Sequence, residues 1–453
     1  MLKGNLVKFR RWINDSGADT YQHVGKRQSI VRYQGSNSDS GVAEDPTTFV
    51  KQLARDRSDL GESYIREILL DSEAYYHANP DVYASGMDAV DHYFTYGVKE
   101  GRKYFPVLRF RESRDFYIST GRKVFFSNAP SRDGSFKYRC LYQGQRYSGS
   151  LVYDGNTRID KIVRAIFNCK VLIFSRPENI ELTKFVICLA KNVGVQVEYD
   201  FDDLLLPEYS GALGHVRSKV SQAEPARQNA INKSALLPFA DGFRCSTKVI
   251  AEHFLRLGKP TVVIPNKLPS SMLGDSSKPA ERLSTISERK LKLIYLSGTA
   301  THKKDYSLIN GVLIRLLQEC PDKISLTFLG NTGVNIEPFK VYSSDVTVVG
   351  RVSFESMLDI ISDHDLALVP LESTIFNDAK SNIKFIEAGS QGVPVVASRV
   401  AEFRSVIEHG VNGLLCKSQE EWLSVLMGVL NGSYDLEAMS YSARAKVAQE
   451  FVI

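Results

Sequence analysis

The stretch "LALVPLESTIFNDAKSNIKFIEAGSQGVPVVAS", residues 366–398, decides how the chain reads. Its first apolar run stops at Pro370, a loop follows, and a helical pattern begins near Ser381 or Asn382. That pattern ends by Gly392, and Pro394 opens a second apolar run. A short buried strand, a helix and another buried strand form the unit of a parallel sheet covered on both faces. Such sheets take ligands beyond the carboxyl ends of their strands. A helix starting there adds free N–H groups and partial positive charge to the same crevice.

The residue types fit that position. Lys380 and Ser381, with Asn382 beside them and Lys384 one turn on, can meet a diphosphate by charge and hydrogen bonds. Glu387 shares the Lys384 face by i,i+3 spacing and, as an acceptor-only carboxylate, could take two hydrogen bonds from a ribose diol. By themselves these residues equally describe a capped surface helix with a Lys–Glu pair.

The same rhythm extends in both directions. "LKLIYLSG", "ISLTFLG" and "VTVVG" read as strands, with helices near 305–319, 353–363, 382–391 and 419–431. Further back, "KVFFSNAP", "KVLIFSRP", "VQVEYDFDD", "GFRCS" and "PTVVIPN" read as strands, with a helix in "ELTKFVICLAKNVG" and another over 247–257. The expectation is an α/β protein of two doubly wound domains, 121–270 and 290–453, joined by a polar linker at 271–289 and facing a ligand cleft. Residues 61–112 carry aromatic and aliphatic residues at helical spacing, broken at Asn79-Pro80, and read as a compact group of short helices. Nothing in that group looks catalytic, and His77 and His92 read as surface or packed residues. Residues 14–60 are polar, and 1–60 read as a disordered or loose arm. The last residues read as a helix still running at Ile453.

Three further segments carry candidate chemistry. In "LKLIYLSGTATHKKDY" (291–306), Gly298 permits close backbone approach, Thr299 and Thr301 offer hydroxyls, and Lys303 or Lys304 offers a cation. His302 stands among them and reads as structural. In "VEYDFDDLLLPEY", Asp200 and Asp202 share a face of one strand, as a metal pair would, but three letters are a weak signal. Asp202 is the candidate for contacting substrate hydroxyls, with Asp203 beside it. The competing reading has both capping the next helix. In "FFSNAPSRDGSFKYRC" (125–140), a Gly-containing loop follows the first strand, and Arg132, Asp133, Gly134 and Arg139 could touch an acceptor, as could Arg176 after "KVLIFS"; the competing reading of each is a loop or cap residue.

"KSNIKFIEAGSQGVPVVAS", with "YLSGTATHKKDY" upstream, resembles the retaining glycosyltransferases of family four, which have the GT-B fold. The resemblance covers about 123–445. It implies that Glu387 binds the nucleotide ribose, that Lys380 and Ser381 face the donor phosphates and sugar, and that Lys303 or Lys304 contacts phosphate. It also implies that the Gly350-Arg351 turn lies against the nucleobase. Many members carry a glutamate eight residues before the ribose one, where this chain has Ala379. The family's first-domain histidine is likewise replaced, by Asp202 or Asp203. Residues 61–112 resemble a small module that accompanies bacterial polysaccharide glycosyltransferases. The implied function is transfer of a sugar from a nucleotide diphosphate sugar to a glycan or lipid-linked glycan acceptor, metal-independent and with no cofactor, in bacterial surface polysaccharide synthesis. The two departures motivate a second expectation, a catalytically inactive scaffold in an assembly complex.

Bulk properties agree with this class. The chain has 453 residues, 43% apolar and 24% charged, with a net charge of +5 that does not argue for nucleic acid. Six cysteines sit mostly in apolar runs, as reduced core residues do, and no Cys/His spacing matches a metal site. No run approaches the ~18–20 apolar residues that span a bilayer. The expected place is the cytoplasm. Leu2, Leu6, Phe9 and Ile13, with basic neighbours, leave room for a helix lying on the inner membrane face.

Overall fold

The computed structural model describes residues 48–109, 122–131, 133–219, 221–277, 283, 289–298, 302–342 and 344–453. By their contacts they form two compact units.

The first unit holds the short helices of the N-terminal region together with helices Ile159–Phe167 and Glu181–Asn192. Helices Glu62–Leu69, Ser72–Ala78, Pro80–Ser85 and Ala89–His92 follow one another closely. Asn79 closes one of them, donating its backbone N–H to Tyr75 and Tyr76, and Pro80 opens the next, where its missing N–H costs nothing. His92 is packed, as its sequence setting suggests: its Nδ1 lies 2.9 Å from the buried Tyr75 hydroxyl. A helix at Thr48–Asp56 stands inside the stretch expected to be a loose arm. It was missed because only its apolar face (Phe49, Val50 and Leu53, all buried) is periodic, over little more than two turns. The rest of the arm, and most of the 271–289 linker, lie outside the described residues.

The second unit contains two six-stranded sheets. The first sheet is built from β1 (Lys123–Ser127), β2 (Leu151–Tyr153), β3 (Val171–Ser175), β4 (Gln196–Phe201), β5 (Gly242–Cys245) and β6 (Thr261–Val263). Their spatial order is β2-β1-β3-β4-β5-β6. The second sheet comprises β7 (Leu291–Ser297), β8 (Ile324–Gly330), β9 (Val346–Val349), β10 (Leu366–Val369), β11 (Val395–Ser398) and β12 (Leu414–Cys416), in the order β12-β11-β10-β7-β8-β9. Registered pairs in both sheets are parallel. The continuous apolar runs are buried throughout β3, β10 and β11, which is why they read as strands covered on both faces. The three-residue strands β2 and β12 escape sequence reading, whereas the equally short β6 is set off by Pro260 and Pro265 on either side of its apolar run.

Chain order reverses between β1 and β3 in the first sheet and between β7 and β10 in the second. Parallel sheets open a crevice at such switch points. Gly330, at φ 95°, ends β8 where a Cβ would meet the Ser297 carbonyl at 2.3 Å, so glycine lets the ends of β7 and β8 approach. The final helix, Leu436–Glu450, stops before Ile453. Leu268, which follows the first sheet, donates to the Phe451 carbonyl at 2.8 Å and accepts from the Ile453 amide at 2.9 Å. This is a two-lobed GT-B architecture of doubly wound sheets, with a helical module at its N-terminal end.

Candidate functional site

Both switch points open into one cavity of about 640 Å³. On the first-sheet side it is lined by Ser127 at the end of β1, by Ser175 and Arg176 at β3, and by Asp202 and Asp203 after β4. On the second-sheet side stand His302, Leu371 after β10, and Lys380, Ser381 and Lys384 at the start of helix Ile383–Ser390.

Arg176 organises the first wall. Its backbone is left-handed (φ 45°), an uncommon conformation for a non-glycine residue, and its N–H donates to the Asp200 carbonyl at 2.9 Å. Its guanidinium holds Asp202 through Nε and Asp203 through a terminal nitrogen at 2.6 Å. Burial pushes both carboxyls up. Arg176 and Arg139 outweigh burial at Asp202 and hold it below the usual range, whereas Asp203 stays above it. The pair is thus split into an ionised member and one that more readily takes a proton. Neither aspartate caps the next helix, the 3₁₀ turn Pro207–Ala212, which has no side-chain cap. Asp133 also lines the cavity, and it caps the turn that starts at Gly134 by accepting from Ser135 N at 2.8 Å.

The second wall is basic. Asn382 precedes helix Ile383–Ser390 without a side-chain cap, so its first N–H groups are available to an anion. Lys384 Nζ donates to the Leu296 carbonyl at 2.7 Å, and burial, with Lys380 adding repulsion, lowers it to about 8. Lys380 is also lowered by burial, against the pull of Asp305 and Asp203. Its Nζ lies 3.3 Å from His302 Nδ1. His302 Nδ1 in turn lies 2.9 Å from Asp305 Oδ2. Asp305 is 2% exposed and accepts from Asn377 Nδ2 at 2.8 Å and from the Glu372 N–H at 3.1 Å. Burial lowers His302 to about 4 in spite of Asp305, so the ring is neutral near pH 7.

Glu387 lies one turn past Lys384, half-buried, and accepts from the Tyr138 hydroxyl at 3.1 Å. Burial pushes its carboxyl up to about 7, against Tyr138 and Lys384. Ser381 Oγ accepts from Asn266 Nδ2 at 3.0 Å, and the Ala379 carbonyl accepts from Thr247 Oγ1 at 3.0 Å, so both sheets brace this loop.

The other sequence candidates fall elsewhere. Arg139 does not line the cavity. It is fully buried in a bidentate pair with Asp200, at 2.6 and 2.9 Å, and also donates to Ile264 O and Asn266 Oδ1. Apolar neighbours in "FKYRCL" continue a helical stretch after Gly134, which turns that arginine inward rather than into a loop. Lys303, Lys304 and Arg351 are exposed and outside the cavity lining, as is Gly298 at the end of β7. Arg132, Thr299 and Thr301 lie outside the described residues. His302 was passed over as a lone histidine; the signal for it was Asp305 at i+3 across the first helical turn. Among the described residues no group of three or more His, Cys, Asp or Glu converges as a metal would require. No helix among them is long and apolar enough to cross a membrane.

Comparison with known proteins agrees with this fold. Residues 291–431 match the family described as glycosyl transferases group 1. No curated protein matches the chain. HepE of Anabaena, solved in complex with UDP, superposes with a TM-score of 0.50 at 15% identity, covering 73% of this chain and 96% of that one. The same protein solved with UDP-glucose gives a TM-score of 0.48 at 17% identity, covering 73% and 95%. Sucrose-phosphate synthase from Thermosynechococcus elongatus gives 0.49 at 13% identity, covering 73% and 95%. The chain therefore has the GT-B fold and carries a group 1 glycosyltransferase domain built on the second sheet.

Proposed function

We propose that the enzyme transfers a sugar from a nucleotide diphosphate donor to a glycan acceptor, with retention of anomeric configuration, without a metal, and in bacterial surface polysaccharide synthesis. The observation that carries the donor assignment is the uncapped start of helix Ile383–Ser390 with Lys380 and Lys384 at the cavity wall. Cations and helix N–H groups aimed at a leaving diphosphate stabilise the charge that builds there in the transition state. HepE, solved with UDP and with UDP-glucose, shares the fold and supports a nucleotide sugar as donor.

On this reading Lys380 and Lys384 hold the two phosphates, Ser381 donates a hydroxyl, and Glu387 accepts from the ribose. With neutral His302 held by Asp305 and Asp202 held by Arg176, hydroxyls of the donor and acceptor sugars find acceptors on opposite walls. Metal independence is supported by Lys380 and Lys384, which on this reading supply the positive charge, and by Asp200 and Asp202 each being bound to an arginine. Retention and the polysaccharide role rest on the resemblance of the 380–398 and 295–306 segments and of the N-terminal module. Work at the inner membrane face belongs to the same reading.

A thermal-shift screen with UDP, GDP, ADP and TDP, with and without a divalent cation, tests it. Ligand at 100 times its Kd should stabilise the fold by about 2.7 kcal/mol. A shift from one nucleotide that does not need metal is expected. A shift that requires metal would overturn the metal-independent reading, and no shift from any of the four would overturn the donor assignment.

A further inference from the structure

A second cavity, of about 540 Å³, opens at the carboxyl ends of β10, β11 and β12, walled by Ser398, Cys416 and the Trp422 ring. Leu371 lines both this cavity and the donor pocket, so the two are neighbours across one side chain. Three cations, Arg399, Arg404 and Lys417, line it, and no acid does. That sets it apart. The donor pocket mixes lysines with Asp133, Asp202 and Asp203, and a cavity of about 870 Å³ at the far end of the second sheet sets Arg289, Lys290 and Lys323 against Asp322, Asp435 and Glu437. Among the described residues none of the three cations forms an ion pair, and all are exposed.

Three like charges around one concavity repel each other, and a bound anion removes that repulsion while gaining charge-assisted hydrogen bonds. Two are arginines, whose planar forks match tetrahedral oxyanions bidentately. The hydroxyl of Ser398 accepts from Leu371 N at 2.9 Å, which fixes the partition between the cavities. Ser373, exposed on the rim, adds a hydroxyl.

We infer that the cavity bounded by Arg399, Arg404 and Lys417 is a second anion site, separate from the donor diphosphate site, that takes a phosphate- or diphosphate-bearing group. The inference stands whether or not the donor pocket proves to bind a nucleotide. A phosphorylated sugar and a free phosphate share the required chemistry.

Calorimetric titration of the full chain with inorganic pyrophosphate, and separately with glucose 1-phosphate, tests it. With the donor pocket saturated by UDP, binding should persist, fall about tenfold or more in Arg399→Gln/Arg404→Gln, and be unchanged in Lys380→Met. Tighter binding of glucose 1-phosphate than of pyrophosphate supports a phosphorylated sugar as occupant, and the reverse supports free phosphate. Loss of pyrophosphate binding in Lys380→Met, or full binding in Arg399→Gln/Arg404→Gln/Lys417→Gln, would overturn the site. Melting temperatures of the variants separate lost binding from lost fold. If UDP itself fails to bind, the contrast between the Lys380 and Arg404 variants still decides the question.

Discussion

The Tyr138 hydroxyl donates to Glu387 Oε1 at 3.1 Å, tying the helical stretch behind β1 to the helix that carries the phosphate-side lysines. The carboxyl it holds is pushed up to about 7 by burial, with Tyr138 and Lys384 pulling the other way. A carboxylate accepts two hydrogen bonds from a diol only when ionised, so the ribose contact is complete above pH 7 and fades below it. UDP affinity measured by calorimetry should therefore rise from pH 6 to pH 7, below the range in which Lys384, lowered to about 8, loses its charge. Tyr138→Phe removes a group that favours ionisation and should move the midpoint upward. Glu387→Gln should bind weakly and lose that part of the pH dependence. Wild-type protein that follows the pH profile of the Gln variant would remove Glu387 from the site.

Lys380 and Lys384 line the cavity, whereas Lys303 and Lys304 stand exposed outside it. Charge stabilisation depends on preorganised groups at the reacting atoms, and removal of one such group typically costs about 10²–10³ in rate. Lys380→Met should lower kcat/KM for transfer by about that factor. Lys303→Ala/Lys304→Ala should change it less than about threefold, as exposed charges are screened. A large loss in the double variant with a small one in Lys380→Met would move the phosphate contact to the 303–304 turn.

His302 makes a separate case. Asp305 is held below the usual carboxylate range: burial pushes it up, but the His302 bond and Lys380 outweigh that. An ionised Asp305 only accepts, so the proton sits on His302 Nδ1 and leaves Nε2 bare. Burial holds the ring at about 4, and it should stay a neutral Nδ1–H tautomer from pH 5.5 to 8. Nitrogen-15 NMR of labelled histidine reads this directly. A His302 signal titrating near 6.5 would show that the ring is not held as described.

Much of this was legible in advance, for a physical reason. Strands such as "KVLIFS" and "LALV" are buried on both faces and so carry unbroken apolar runs, and helix Ile383–Ser390 sits between two of them. Its starting residues, Lys380 to Lys384, follow from local sequence alone. Partners brought together from distant segments do not: Tyr138 and Glu387 are 249 positions apart, and Thr247 and Ala379 are 132 apart. Charge was equally ambiguous. "SRDGSFKYR" shows two arginines and a lysine in one loop-like run, and only the fold distinguishes a buried structural arginine from one that meets a ligand.

That distinction gives the last prediction. Arg139 and Asp200 are both fully buried, and the guanidinium makes four hydrogen bonds, to both Asp200 oxygens, Ile264 O and Asn266 Oδ1. Removing Arg139 leaves Asp200 with only the longer Arg244 contact at 3.4 Å, and a poorly paired charge in a low-dielectric interior costs about 3 kcal/mol. Arg139→Ala should lower the denaturation midpoint accordingly, and Asp200→Asn should lower it less, because the amide keeps one acceptor. Replacing both with apolar residues of similar volume, Arg139→Met/Asp200→Leu, should cost less than Arg139→Ala, since Arg244 keeps Glu198 at 3.3 Å and no buried carboxylate is left poorly paired. If instead Arg139→Ala unfolds at the wild-type denaturant concentration and only raises the KM for acceptor, the arginine belongs to the acceptor side of the cleft and not to the core.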